Sequence, residues 1–126
     1  MRQERKGDQL AGRLLEFAAN VLKIAEVPRG PGARHVVRQL IRSATAGGAL
    51  YEEARCAESR ADFAHKIKLA AKEMRESLYW LKLIQRAHPT TDPGFAALLT
   101  EADELVAILM SSAKTATARR CGSAPF

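Results

Sequence analysis

"SRADFAHKIKLAAKEMRESLYWLKLIQRA", Ser59 to Ala87, is the stretch whose reading decides the fold. Phe63, Ile67, Ala70, Met74, Leu78 and Leu81 recur at intervals of three and four residues, the repeat of a single helix face. The spacing predicts a long helix over 60–87. Ser59-Arg60-Ala61-Asp62 opens it as a variant of the capping box, with Asp62 where Glu is usual. His88-Pro89-Thr90-Thr91-Asp92-Pro93 closes it and supplies an N-cap, Asp92, and a first-turn proline, Pro93, for a following helix.

The other sides of this helix are informative too. Leu69, Trp80, Leu83 and Ala87 make a second apolar stripe, rotated by roughly 120° from the first, with Glu73 and Glu76 on the same side. A peripheral bundle helix needs only one apolar stripe. The second therefore needs a cover, from a neighbouring helix or from another subunit. Large aromatic side chains favour interface cores, so Leu69, Trp80 and Leu83 are the expected contact between subunits. A third arc is basic. Lys68, Lys72, Arg75, Lys82 and Arg86 fall within roughly 80°, with Tyr79 among them. Basic rows with an interleaved aromatic suit nucleic acid, because phosphate neutralisation releases counterions and an aromatic ring stacks on a base. The same row also fits a solvated face with ion pairs such as Lys72 to Glu76.

Working outward, Leu10, Leu14, Phe17, Ala18, Val21, Ile24 and Ala25 predict an amphipathic helix over about 8–27. Val27-Pro28-Arg29-Gly30-Pro31-Gly32 stops it. Val36, Val37, Leu40, Ile41, Ala44 and Tyr51 give a second helix, about 33–57, and Arg34, Arg38 and Arg42 form a second basic row on it. Phe95, Leu98, Leu99, Ala102, Leu105, Val106, Leu109 and Ala113 give a last helix over 93–118, followed by a tail, 119–126. No segment alternates with period two, and no hairpin turn pair occurs. Four helices with short connections in one domain, 1–126, argue for an all-α, antiparallel, up-and-down four-helix bundle.

Composition bounds the function. The chain has 126 residues, 47% hydrophobic and 27% charged, with a net charge of +6. Residues 28–50 hold four arginines and no acid, whereas residues 89–126 hold four acids against three bases. No apolar run approaches the roughly 18 residues that span a bilayer, and the N-terminus MRQERKGDQL lacks an apolar leader core. Cys56 and Cys121 stand alone and read as free thiols of a reducing cytoplasm. There is no nucleophile elbow, P-loop or GxGxxG motif. Glu-x-x-His pairs of the di-iron bundles are also missing, so neither a metal nor a cofactor is expected. The carboxylates Glu52, Glu53, Glu73 and Glu76 are better explained by pairing with Arg42, Arg55, Lys66 or Lys72.

Gln39 to Ala87 resembles the four-helix bundle protein family, also called the 23S rRNA intervening-sequence proteins. Gln39, Leu40, Arg42, Ala44, Thr45, Gly48, Ala49, Tyr51, Glu53 and Ala54 carry the resemblance. It continues without a gap through Ser59, Asp62, Phe63, Lys66, Ala70, Lys72, Glu73, Glu76, Tyr79, Trp80 and Leu81. Gly47 departs from the pattern, where the family usually has an apolar residue, and so does Leu50, where Asn is common. The resemblance implies a cytosolic bundle assembling into a ring-shaped homo-oligomer, a pentamer, with no established enzymatic activity. A related branch, the accessory variability determinant proteins of diversity-generating retroelements, consists of basic pentamers that bind a reverse transcriptase and nucleic acid. The expected partners are therefore other copies of the chain and, through a basic face, RNA, DNA or a nucleic-acid enzyme. The alternative is a structural or protein-interaction scaffold without nucleic-acid binding.

Two adjacent glycines inside a helix need a reason, since each costs about 1 kcal/mol against Ala. Gly48 matches a small residue of the family and is expected to let another helix backbone approach closely. Gly47 is the additional one, and Gly47→Ala is expected to be mild or stabilising.

Overall fold

The computed structural model describes residues 6–24 and 29–121 and consists of four helices: α1 (Lys6–Ile24), α2 (Pro31–Arg55), α3 (Arg60–Ala87) and α4 (Pro93–Cys121). No strand occurs among the described residues. The charged N-terminal stretch 1–5, the stop at Val27-Pro28 with Ala25 before it, and the last residues, 122–126, lie outside the described residues. The last helix continues beyond 118, to Cys121.

The helix starts follow from local chemistry. Gly30 has φ +102°, a left-handed conformation that glycine adopts without steric cost, and Pro31 takes the first helical position. At α3 the Ser59 hydroxyl accepts from the Asp62 N–H at 3.0 Å. The return bond of a capping box is displaced by one residue: the Asp62 carboxylate accepts from the Glu58 N–H at 3.3 Å. At α4 the Asp92 carboxylate accepts from the Gly94 N–H at 3.0 Å, and Pro93 follows it as the first helical residue.

Adjacent helices run antiparallel. Gly7 and Leu14 of α1 meet Tyr51 and Gly48 of α2, while Arg42 and Gly47 of α2 meet Glu76 and Met74 of α3. The connections 56–59 and 88–92 are too short for any other order. α3 lies between α2 and α4. α1 lies against α2 and touches α4 lightly, and among the described residues the diagonal pairs stay apart. Leu14, Phe17, Leu40, Ile67, Met74, Leu81, Leu105 and Leu109 are at most 1% exposed and form the centre of the core. Each such side chain is worth about 1.5–3 kcal/mol on burial, more than any surface ion pair. The core therefore sets the fold and the polar clamps adjust it.

One polar pair sits inside. Ser43 and Ser77 are fully buried between α2 and α3, their hydroxyl oxygens 2.7 Å apart. Each hydroxyl also lies within reach of a carbonyl of its own helix, Leu40 or Glu73, at 3.2 Å. Neither oxygen is left unsatisfied, which removes the desolvation cost of burying it.

The glycine pair divides its work differently from the expectation. A Cβ on Gly48 would lie 3.6 Å from Leu14 Cβ and 3.8 Å from the Leu14 backbone, an ordinary contact. α1 does approach there, with room for a methyl group. A Cβ on Gly47 would lie 2.7 Å from Met74 Sδ and 2.9 Å from Met74 Cγ. Gly47, which breaks the family pattern, is thus the residue that the helix contact requires, and the expectation that alanine there is mild gives way to a clash with a core side chain.

Candidate nucleic-acid interface

Apart from Ala87 at its end, the exposed positions of α3 repeat along one line: Ala61, His65, Lys68, Lys72, Arg75, Tyr79, Lys82 and Arg86. They follow directly from the core stripe, because the residues opposite a buried 3.6-residue repeat must themselves repeat. No carboxylate interrupts them. Lys68, Lys72, Arg75, Lys82 and Arg86 make no ion pair among the described residues. The pairing of Lys72 with Glu76 that the spacing allows is not formed. Tyr79 is 58% exposed and meets Trp80 edge-to-face with ring centroids 5.1 Å apart.

Glu73 and Glu76 are rotated onto the seam with α2, where Arg42 holds both. Its Nη1 donates to Glu73 at 3.2 Å, its Nη2 donates to Glu76 at 2.5 Å, and its Nε donates to Gln39 at 3.3 Å. Arg42 therefore leaves the basic row of α2: a guanidinium whose donors are committed to two carboxylates is a poor phosphate ligand. Arg34 and Arg38 remain exposed and without an ion pair among the described residues.

Trp80 closes the same seam. Its indole N–H donates to Glu76 at 3.1 Å, and its ring packs on the core and meets His35 edge-to-face at 6.5 Å. Much of the cover for the second apolar stripe thus comes from within the chain, although Leu69 and Leu83 remain half-buried. The Arg42 guanidinium, helped by the indole N–H, holds the Glu76 carboxyl below its ordinary value. Because that value is depressed on folding, the contribution of Glu76 to stability is present at neutral pH and is lost as the pH falls through the folded-state value. Trp80 is the sole tryptophan, so its fluorescence is expected to titrate with a midpoint below about 4.3, the free glutamate value. Glu76→Gln should remove the transition. A midpoint above that value would mean that Arg42 does not hold the carboxylate.

Two further surface features lie outside the stripes described above. Leu15 and Leu22 on α1 are 73% and 53% exposed. They flank a groove of about 640 Å³ floored by small residues of α1 and α2, including Ala18, Ala19, Gly48 and Ala49. Leu15, Ala18, Ala19 and Leu22 have the i, i+3, i+4, i+7 spacing, so this stripe was visible in the sequence beside the stronger core stripe. Lys114 of α4 lies across a second groove from Lys68 and Lys72. Nothing in the local sequence signals that, because it depends on how α4 packs on α3.

The family model described as 23S rRNA-intervening sequence protein matches residues 10–111. Among solved structures, the chain is similar to a protein with unknown function from the S23 ribosomal protein family of Bacteroides thetaiotaomicron. The two are 30% identical with a TM-score of 0.72, over 83% of this chain and 98% of that one. No curated protein matches the sequence.

Proposed function

The chain belongs to the 23S rRNA-intervening sequence protein family, and from that premise we propose that it is a non-catalytic bundle that assembles with copies of itself and binds nucleic acid through α3. The observation that carries the binding is the solvent face of α3: five cations, one exposed tyrosine and no carboxylate. An unneutralised row of this kind attracts a polyanion and releases its counterions. Leu15 and Leu22 support self-association, since two large apolar side chains that far exposed beside an apolar groove are an interaction surface rather than a scattered surface pair. A closed ring, five copies in the family resemblance, would repeat the basic face around an axis and add weak contacts together. The proposed setting is the cytoplasm. A nucleic-acid enzyme is the natural protein partner of such a ring.

A scaffold without nucleic-acid binding is the second reading, and Arg42 favours it: one cation of the α2 row already serves an ion pair between helices.

Electrophoretic titration at two salt concentrations tests the choice. Lys68→Gln/Arg75→Gln/Lys82→Gln is expected to weaken nucleic-acid binding and to reduce the salt slope by about 0.7–0.9 per lost phosphate contact. Arg34→Gln/Arg38→Gln is expected to have the smaller effect. Binding unchanged in both variants would exclude these faces, and no shift at micromolar wild-type protein would favour the scaffold.

A further inference from the structure

The basic row of α3 does not end in open solvent along its whole length. At its N-terminal half it borders a groove of about 870 Å³ against α4. Lys68 and Lys72 stand on one wall and Lys114 on the other, while Ala71 and Ala113 form the floor beside Met110. Ala71 and Ala113 are almost fully buried, whereas Met110 is 44% exposed. No carboxylate lines the groove, and none of the three lysines makes an ion pair among the described residues.

We propose that this groove seats an unstacked base of single-stranded nucleic acid, with Lys68, Lys72 and Lys114 on the phosphates either side of it. The assignment rests on the proposed binding through α3 and goes beyond it by naming the form of the ligand. Three ammonium groups call for an anion, but a phosphate alone has no use for an apolar floor. A duplex keeps its base faces stacked inside and shows a protein surface its backbone and base edges, with no free face to stack. A single strand offers phosphates and free base faces together, which is the combination of charge and apolar contact that strand-binding grooves use.

An acidic amphipathic helix also combines the two, but it needs apolar contacts every three or four residues along its length. Beyond the groove α3 supplies only Tyr79, among Arg75, Lys82 and Arg86. The apolar surface is local and the charged row is long. Lys68 to Arg86 spans about 27 Å at 1.5 Å per residue, room for about eight nucleotides at the ~3.4 Å rise of a stacked strand. The polymer path therefore runs from the groove along α3, with Tyr79 as a second stacking position.

The test uses the full chain and fluorescence anisotropy with ten-nucleotide probes: a single strand, the same strand with abasic sites, and a duplex. The intact strand is expected to bind about tenfold tighter than the abasic strand, the gain of one stacked base, and tighter than the duplex. Lys114→Gln should lower strand affinity several-fold and reduce the salt slope by about 0.7. Met110→Glu, at an exposed position, should reduce the preference for the intact strand to the part that Tyr79 supplies, and Met110→Glu/Tyr79→Ala should erase it, while the circular dichroism stays unchanged. Equal binding of intact and abasic strands, or tighter binding of the duplex, overturns the groove assignment. If the Lys68/Arg75/Lys82 variant still weakens those complexes, binding through α3 stands. If no probe binds, both fall. A Glu- and Leu-rich amphipathic peptide that outcompetes the strand, and loses binding in Met110→Glu, would make the groove a protein-docking site and would also overturn the assignment.

Discussion

Gly47→Leu is expected to destabilise the protein by about 3 kcal/mol, the upper end of the usual range for overpacking a core. The first carbon of any side chain at Gly47 falls 2.7 Å from Met74 Sδ and 2.9 Å from Met74 Cγ. Met74 is fully buried, so its thioether has no solvent to retreat into. Methionine is flexible, and Gly47→Ala therefore has a smaller effect, a loss of about 1 kcal/mol after a gain in helix propensity of similar size. Gly48→Ala meets only ordinary contacts with Leu14 and is expected to stabilise by up to about 1 kcal/mol. Thermal unfolding separates these variants: for a domain of this size, 3 kcal/mol lowers the midpoint by about 10 °C. The double variant Gly47→Leu/Met74→Ala should lose less than the sum of its parts, since each change makes room for or uses the space of the other. An unaltered midpoint for Gly47→Leu would mean that Met74 swings aside freely and that α2 and α3 are not held apart by this pair.

If the chain assembles through α1 as proposed, Leu15→Glu/Leu22→Glu is expected to turn the assembly into single folded chains. Both side chains are more than half exposed within one subunit, so their replacement leaves the core intact and surface substitutions of this kind change stability little. Across an interface the same two leucines are worth about 1.5–3 kcal/mol each, and a charge placed there must be desolvated without a partner. Together these weaken association by more than about a thousandfold. Sedimentation equilibrium should give a multiple of 13.8 kDa for the wild type and 13.8 kDa for the variant, with unchanged helical circular dichroism. Leu69→Gln/Leu83→Gln is the matched comparison, because these half-buried residues were the interface expected from the pattern of α3. An oligomer that survives the α1 change and dissociates on the α3 change would move the contact to the seam of α2 and α3. A wild-type mass of one chain would remove self-association altogether.

What could be read from the sequence was whatever repeats at helical spacing. The core stripe of α3 from Ile67 to Leu81, the stop at Gly30-Pro31 and the cap at Asp92 are local signals, and the helices follow them. Phe63 is partly buried rather than central because it lies in the first turn, at the end of the bundle. The basic arc of α3 is exposed as its angle requires. Arg42 could not be separated from Arg34 and Arg38 by spacing alone. Its difference comes from the register of α2 on α3, which puts Glu73 and Glu76 opposite it. The same register brings Ser43 to Ser77 and Gly47 to Met74. A serine in a helix and a glycine in a helix look alike whether they face water or a neighbour, so these contacts are set by the pairing of elements rather than by either element.

α1 is the helix that the rest of the chain grips least. It is the shortest of the four, at 19 residues, and it meets α4 lightly. Three polar clamps hold it near its N-terminal half: Arg13 on Glu101 and Glu104, Asp8 on Arg55, and the Gly7 carbonyl on the Tyr51 hydroxyl. Regions with few buried contacts open first in native-state hydrogen exchange. The amide protons of α1 are therefore expected to exchange ahead of those of α2, α3 and α4. Because α1 also carries Leu15 and Leu22, the proposed assembly through this helix predicts that its protection rises with protein concentration by mass action.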